Sequence, residues 1–139
     1  MDFAITTRTV DAPHDTRWRA SSHGEFVAQP GTLDLSKFIS GTHYNIGGRT
    51  DNVIPSGVAV MRDAASGLFV PFVAGDANVL AGYINDNGGV AVKRADGTNS
   101  TKAAFARLLH GFIETRYLPV AAQRGIVAAA KTNVQISYI

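Results

Sequence analysis

Residues 57–76, GVAVMRDAASGLFVPFVAGD, read as a strand, a tight turn and a second strand. The first run, GVAVMRD, is rich in β-prone residues, and AASG ends it with turn-forming residues. In the second run, LFVPFVAGD, Pro71 has no backbone N–H to donate, so we expect this strand to lie at a sheet edge or at a bulge. The stretch therefore predicts a mostly-β domain.

The same pattern continues on the C-terminal side of this stretch. NVLAGYI (78–84) predicts a third strand, and NDNGG (85–89) carries the Asn-Gly signal of a hairpin turn. VAVKR (90–94) alternates apolar and other residues, as a strand with one buried face does. VQISYI (134–139) alternates in the same way and predicts a terminal strand.

The segment 102–118 fits two patterns. Phe105, Leu108, Leu109 and Phe112 are spaced as on one face of a helix, whereas residues 112–118 alternate as in a strand. Periodicity alone would divide the segment at Gly111 and leaves helix or strand open for residues 102–112. The alanine-rich run that follows, residues 118–133, predicts one short C-terminal helix.

Composition limits the class of protein. A chain of 139 residues is long enough for one domain with a core, and 45% apolar with 17% charged residues fits an assembly subunit better than a disordered chain. The net charge is only +2 and the basic residues are scattered, so we expect no nucleic-acid partner. Without cysteines there is no disulfide, thiolate metal site or cysteine nucleophile. No apolar run approaches the roughly 20 residues of a membrane span, and no signal peptide is evident, so we expect no membrane partner and synthesis in the cytoplasm.

Residues 1–57 differ from the rest, because they mix Thr, Ser, Gly, Pro and charges with isolated large apolar residues. We interpret them as an extended N-terminal arm and residues 58–139 as the β domain. The apolar residues of the arm are too many for an idle linker, so we expect them to pack on the body or on a partner. Trp18, flanked by two arginines, is the residue most like an interface anchor, although packing against its own domain is an equal alternative.

Catalytic and metal-binding patterns are absent from the sequence. The four histidines have no metal-ligand spacing, the aspartates fall in predicted turns, and neither a phosphate-binding loop nor a nucleophile elbow occurs. We therefore predict no catalytic residues, no cofactor and no metal, and a protein that is not an enzyme. The competing hypothesis is a small β-barrel enzyme or ligand-binding domain with a pocket lined by His110, Glu114 and Tyr117.

The order of elements resembles the head decoration proteins of tailed phages, the family typified by the capsid-stabilising protein of phage lambda. Three stretches carry the resemblance: IPSGVAVMRDAASGLFVPF, NVLAGYIND and HGFIETRYLPVAAQRGIVAAAKTNVQISYI. Together they cover about 60% of the chain, residues 54–139. The resemblance implies a compact, mostly-β (α+β) domain, barrel-like or tulip-shaped, with one short C-terminal helix. It also favours strand over helix for residues 102–118.

The family's function follows as an expectation. The resemblance implies a homotrimer that binds the major capsid protein on the outer surface of the expanded head, at three-fold and quasi-three-fold positions, and stabilises the virion against the pressure of packaged DNA. Capsid-contact candidates in the arm are Phe3, Ile5, Trp18, Phe26, Leu33 and Leu35. Framework or trimer candidates are Gly111, Tyr117 and Pro119. The alternative within the virion is a head-tail connector or tail-tube subunit.

Overall fold

A computed structural model describes residues 15–26 and 28–139 of the chain. Phe3 and Ile5, two of the expected capsid contacts, lie outside the described residues. The predicted fold class is confirmed, because about a third of the chain forms strands and no long helix occurs in the described part.

The strands and three 3-10 turns follow one another along the chain. The strands are β1 Ala28–Asp34, β2 Val53–Ile54, β3 Ala59–Arg62, β4 Phe69–Pro71, β5 Val79–Leu80, β6 Gly82–Ile84, β7 Val90–Ala91, β8 Lys102–Leu108, β9 His110–Ile113, β10 Lys131–Thr132 and β11 Gln135–Tyr138. The 3-10 turns are Leu35–Lys37, Thr115–Tyr117 and Ala121–Gln123.

Five strands close a barrel in the order β1-β4-β3-β6-β8. The longest contact is between β1 and β8, which pair antiparallel over seven residues, from Ala28 opposite Leu108 to Asp34 opposite Lys102. β1 pairs β4 in parallel, and the other barrel pairs are antiparallel. Three two-stranded sheets, β5-β10, β9-β11 and β2-β7, surround the barrel.

The expected boundary between arm and domain at residue 57 is wrong, because β1 is a barrel strand. Leu33 and Leu35 are buried, with exposed fractions of 0% and 3%, and they belong to the core inside the barrel. The sequence does not reveal this strand, because β1 forms no hairpin with an adjacent strand. Its main partner, β8, begins 68 residues after Asp34. Neither leucine is accessible to a coat protein in this fold.

Two apolar cores lie on opposite sides of the barrel wall. Along β3 and the residue before it, Val58 and Val60 point into the barrel, whereas Ala59 and Met61 contact the second core outside it. The second core is covered by the N-terminal segment and by the C-terminal residues, whose side chains include Trp18. Because both faces are buried, this strand is a nearly continuous apolar run.

Residues 102–108 and 110–113 are strands, as the resemblance favoured, but the strand expected to continue to residue 118 ends at Ile113, and Thr115–Tyr117 form a 3-10 turn. The two strands, β8 and β9, are separated by Leu109. The residues with helical spacing, Phe105, Leu108, Leu109 and Phe112, do not form a helix. Seven residues of β8 pair with β1, so the tertiary ladder overrides the local pattern.

Pro71 was expected at a sheet edge or a bulge, but its strand, β4, is part of the barrel wall and lies between β1 and β3. The N–H of the next residue, Phe72, donates to the Ala59 carbonyl on β3, so by alternation the Pro71 nitrogen faces the other side. On that side β1 pairs only opposite Phe69. Proline is therefore tolerated without the loss of a ladder hydrogen bond.

Two turn regions differ from their predicted form. NDNGG makes a turn in which Gly89 has φ +76° and donates to the Asp86 carbonyl, but the flanking strands β6 and β7 do not pair, so it is not a hairpin. The short C-terminal helix is present as the 3-10 turn Ala121–Gln123. The buried Gln123 side chain ties this turn to the barrel, because it bonds both the N–H and the carbonyl of Ala59 and the carbonyl of Phe72.

Candidate functional site

Residues 15–26 form a segment that is bound to the outside of the barrel, which we call the N-terminal segment. Its Trp18 is fully buried, its indole N–H donates to Ser56 Oγ at 3.0 Å, and its ring stacks on Tyr83 with centroids 6.0 Å apart. Gly57 allows the close approach, because a Cβ there would lie 2.8 Å from the Trp18 ring. Trp18 is therefore a core residue, and its expected role as a capsid contact is wrong.

The N-terminal segment also pairs with β9. Ala20 N–H donates to the Phe112 carbonyl at 3.0 Å, and Glu114 N–H donates to the Trp18 carbonyl at 2.9 Å. Arg19, whose side chain is 8% exposed, donates to the side chains of Asn85 and Asn87. The segment thus forms the partner of one edge of β9.

Phe26 is different from the other expected capsid contacts. It lies at the end of the N-terminal segment with 93% of its side chain exposed, which leaves a large apolar ring in solvent. Among the expected contacts in the described residues, Phe26 is thus the accessible one. A partner could bury it without any change in the barrel.

The framework candidates Gly111, Tyr117 and Pro119 fall in two places. Gly111 lies in β9 with φ +147°, where a Cβ would meet the His23 carbonyl at 2.8 Å, so its role is close approach of the N-terminal segment. Tyr117 and Pro119 line a cleft beside that segment.

The cleft has a volume of about 440 Å³ and lies where the N-terminal segment begins. Four arginines, from four separate parts of the chain, line it together with apolar groups. The guanidinium groups of Arg17 and Arg116 lie over the Tyr117 ring, 4.5 and 4.7 Å from its centroid. The lining includes Arg17, Arg49, Arg116, Arg124, Tyr117, Pro119, Ile46 and Pro55.

Most of this positive charge is balanced locally. Arg17 pairs with Asp15 at 2.7 Å, and its hydrogen bonds hold the pKa of that carboxyl below its usual value. Arg49 and Arg116 each lie 2.6 Å from a carboxylate, of Asp51 and Glu114 respectively.

Arg124 is the fourth arginine of the cleft. Its Nε donates to the Leu118 carbonyl at 2.8 Å, and within residues 15–26 and 28–139 it has no carboxylate within 4.0 Å. The cleft can accordingly accept a carboxylate or another small anion next to apolar walls.

A second polar contact lies on the outer face of β9. The Nε2 atoms of His23 and His110 are 2.9 Å apart, in a shallow pocket that Gln135 and Ser137 also line. Such a contact requires one ring nitrogen to donate and the other to accept. Across the described part of the chain, no group of three or more potential metal ligands is found.

The hypothetical pocket of His110, Glu114 and Tyr117 does not form. His110 faces His23, Glu114 pairs with Arg116, and Tyr117 lines the cleft. Among the described helices, none has the length and apolar character needed to cross a membrane.

Comparison with known proteins adds no relative to these observations. No protein-family model, no curated protein and no solved structure matches this chain.

Proposed function

We propose that this chain is a capsid decoration protein. It binds as a homotrimer to the major capsid protein on the outer surface of the expanded phage head and stabilises the virion against packaged DNA. The proposal rests on the resemblance of residues 54–139 to that family. The mostly-β barrel with peripheral strands agrees with the fold that the resemblance implies.

The observation that best supports the proposal is the fixed attachment of the N-terminal segment. Trp18 and Arg19 hold this segment on the barrel, so the chain before Asp15 starts from a defined point at the rim of the arginine-lined cleft. Fourteen residues can reach up to about 45 Å when extended. That is long enough for contact with a neighbouring subunit.

The proposed capsid contacts are consequently reduced to three. Phe26 is kept as an exposed ring, Phe3 and Ile5 lie outside the described residues and keep their proposed role, and the buried Trp18, Leu33 and Leu35 are left out. Three arms in one trimer act together, so each needs only modest affinity provided that all three can engage.

The first test is the oligomeric state and the choice of capsid. Native mass measurement should give a trimer, and purified protein should bind expanded heads that lack it but not unexpanded proheads. A ring of higher order would favour a connector or tail-tube subunit instead. A monomer that binds neither particle would refute the proposal.

The second test removes the part of the arm that precedes Asp15. Deletion of residues 2–14 leaves Trp18 in place and should weaken binding to expanded heads at least tenfold while the trimer persists. A matched control replaces residues 3–10 by a Gly-Ser linker of equal length, which keeps the reach but removes Phe3 and Ile5. Binding by the deletion variant that equals the full chain would exclude the arm from the contact.

The arginine-lined cleft favours one other function, a domain that binds a small carboxylate or phosphate ligand. Arg124 carries the idea, because its charge has no carboxylate partner in the described part of the chain. Titration calorimetry with citrate and with inorganic phosphate tests it, and Arg124→Gln should abolish any binding seen.

A further inference from the structure

Among the described residues, the last strand, β11, has one paired edge and one edge without a partner strand. Gln135 N–H donates to the Leu109 carbonyl and Ile139 N–H donates to the Ile113 carbonyl, both at 2.9 Å. In a parallel ladder the residues alternate, so Gln135, Ser137 and Ile139 face β9. The backbone N–H and C=O groups of Ile136 and Tyr138 therefore point away from β9.

No other described strand lies against this open edge, since β9 and β11 form a sheet of two. On the far side of β9 the N-terminal segment already supplies a partner. Within residues 15–26 and 28–139, the layer thus ends at β11 and exposes the backbone groups of a strand.

The sequence of this strand lacks the features that normally protect an edge. VQISYI has no charged residue, no proline and no glycine, and most of its residues have high β-propensity. Proteins usually protect exposed edges with lysine, proline, a bulge or a covering loop, because an unprotected edge pairs with other chains. An edge of this composition is typical of a strand that acquires a partner.

The side chains next to the open edge are only partly buried. Ile136 and Tyr138 pack on the second core but stay half-buried, and Ile139 is 69% exposed. Tyr138 is fixed in place, because its hydroxyl lies 2.8 Å from the hydroxyl of the buried Tyr83. An added strand with apolar side chains on its inner face would complete the burial of Ile136 and Tyr138.

We infer that the open edge of β11 binds an extended segment of the major capsid protein, which adds to the sheet as a further strand. The inference rests on the proposed function and names the element of this chain that receives the coat. Main-chain hydrogen bonds at Ile136 and Tyr138 would supply affinity, and alternate apolar side chains would supply specificity. A second copy fits less well, because pairing of β11 with itself is two-fold and a trimer is not.

Proline at position 136 tests the edge directly. Since the Ile136 N–H does not bond β9, Ile136→Pro removes an outward donor and leaves the paired edge intact. Ile136→Ala is the matched control, because it loses the same side chain but keeps the N–H. Binding of both variants and of the wild type to expanded heads is then measured by co-sedimentation over a concentration series.

We expect Ile136→Pro to bind at least tenfold more weakly than Ile136→Ala, with the trimer retained in both. Equal binding by the two variants would overturn the inference and leave the proposed function standing. If wild type itself fails to bind heads, the proposed function and the inference fall together. If Ile136→Pro instead dissociates the oligomer, the occupant is a second copy and the assignment to the coat is wrong.

A second pair of variants guards against misfolding at position 136. Tyr138→Pro and Tyr138→Ala probe the other outward N–H in the same way. Hydrogen exchange of the wild type gives an independent measure: the C-terminal peptide should gain about two protected amides on binding to heads, in line with the two outward N–H groups. No gain in protection would contradict the inference even if the proline variants were unstable.

Discussion

The two segments that flank β9 are held to it in different ways. On one side, the N-terminal segment adds two backbone hydrogen bonds and buries the indole of Trp18, and the Arg19 side chain is almost fully covered. On the other side, β11 pairs through its backbone, but Ile136 and Tyr138 stay half-buried, and no described strand pairs with its far edge. Of the two segments that pair with β9, only the N-terminal one thus buries its large side chain completely.

The largest expected effect concerns the closed side. Trp18→Ala should lower the free energy of unfolding by about 3–5 kcal/mol, because it leaves a cavity in the second core and removes the indole N–H that donates to Ser56 Oγ. Denaturant unfolding measures it. Phe26→Ala in the same segment is the control and should change stability by less than about 0.5 kcal/mol, since its ring is 93% exposed. A Trp18→Ala variant as stable as the control would mean that the N-terminal segment does not hold the fold.

A smaller effect tests how closely the N-terminal segment lies on β9. Gly24 has φ +81° and an added Cβ would lie 2.3 Å from the His110 carbonyl oxygen, whereas Gly41 has φ +85° and open space around it. Both changes to alanine carry the strain of positive φ, of order 1–3 kcal/mol. Only Gly24→Ala adds a clash, for a further ~1–3 kcal/mol.

Thermal or denaturant unfolding of the two variants measures this difference. Because the backbone strain is common to both, the gap between them reports the packing of the segment on β9. Equal stabilities would show that the segment can move away from His110 without loss.

The smallest effect concerns the attachment of β11 to the body. Tyr83→Phe removes the hydroxyl contact to Tyr138 and should lower stability by about 0.5–1.5 kcal/mol at neutral pH. Burial raises the pKa of Tyr83 above its usual 10.0. Above pH 10 the unfolded chain therefore loses this proton while the folded chain keeps it, so the contribution of Tyr83 to stability is complete below pH 10 and falls as the pH rises.

Unfolding at pH 8 to 11 checks the direction. The wild type should lose up to about 1.4 kcal/mol per pH unit above pH 10 through this group. The Tyr83→Phe variant lacks this ionisable group, so the difference in unfolding free energy between the wild type and the variant should become smaller above pH 10. A difference that stays constant with pH would mean that Tyr83 ionises as freely in the folded protein as in the unfolded chain.

The sequence predicted those elements whose pattern is local. The β-prone run GVAVMRD located β3, and alternation located β7 and β11. The resemblance chose strand over helix for residues 102–118, which is correct for 102–108 and 110–113 only. β1 was not recognised as a barrel strand because its one large apolar residue, Leu33, stands among Pro, Gly, Thr and Asp, and its partner β8 lies far away in the chain. The predicted C-terminal helix is only one 3-10 turn, Ala121–Gln123. In this turn, the buried Gln123 side chain forms hydrogen bonds with the backbone of Ala59 in β3 and of Phe72, the residue after β4.

The candidate sites were less predictable than the strands. Arg116, Tyr117 and Pro119 are adjacent in sequence, but the other arginines of the cleft come from residues 17, 49 and 124, and no spacing rule connects them. His23 and His110, whose ring nitrogens meet, are 87 positions apart. The sequence placed Trp18 equally well on a partner or on its own domain.

By itself the sequence determined that this is one small, mostly-β domain with a terminal strand, because side-chain alternation and turn residues act over a few neighbouring positions. The tertiary structure decided which strands pair, which large apolar residues become core, and which strand edge stays open. Those outcomes depend on contacts between residues far apart in the chain. Trp18 is buried because Ser56 and Gly57, some 40 residues away, provide its site, and β9 lies between the N-terminal segment and β11, which come from opposite ends of the described chain.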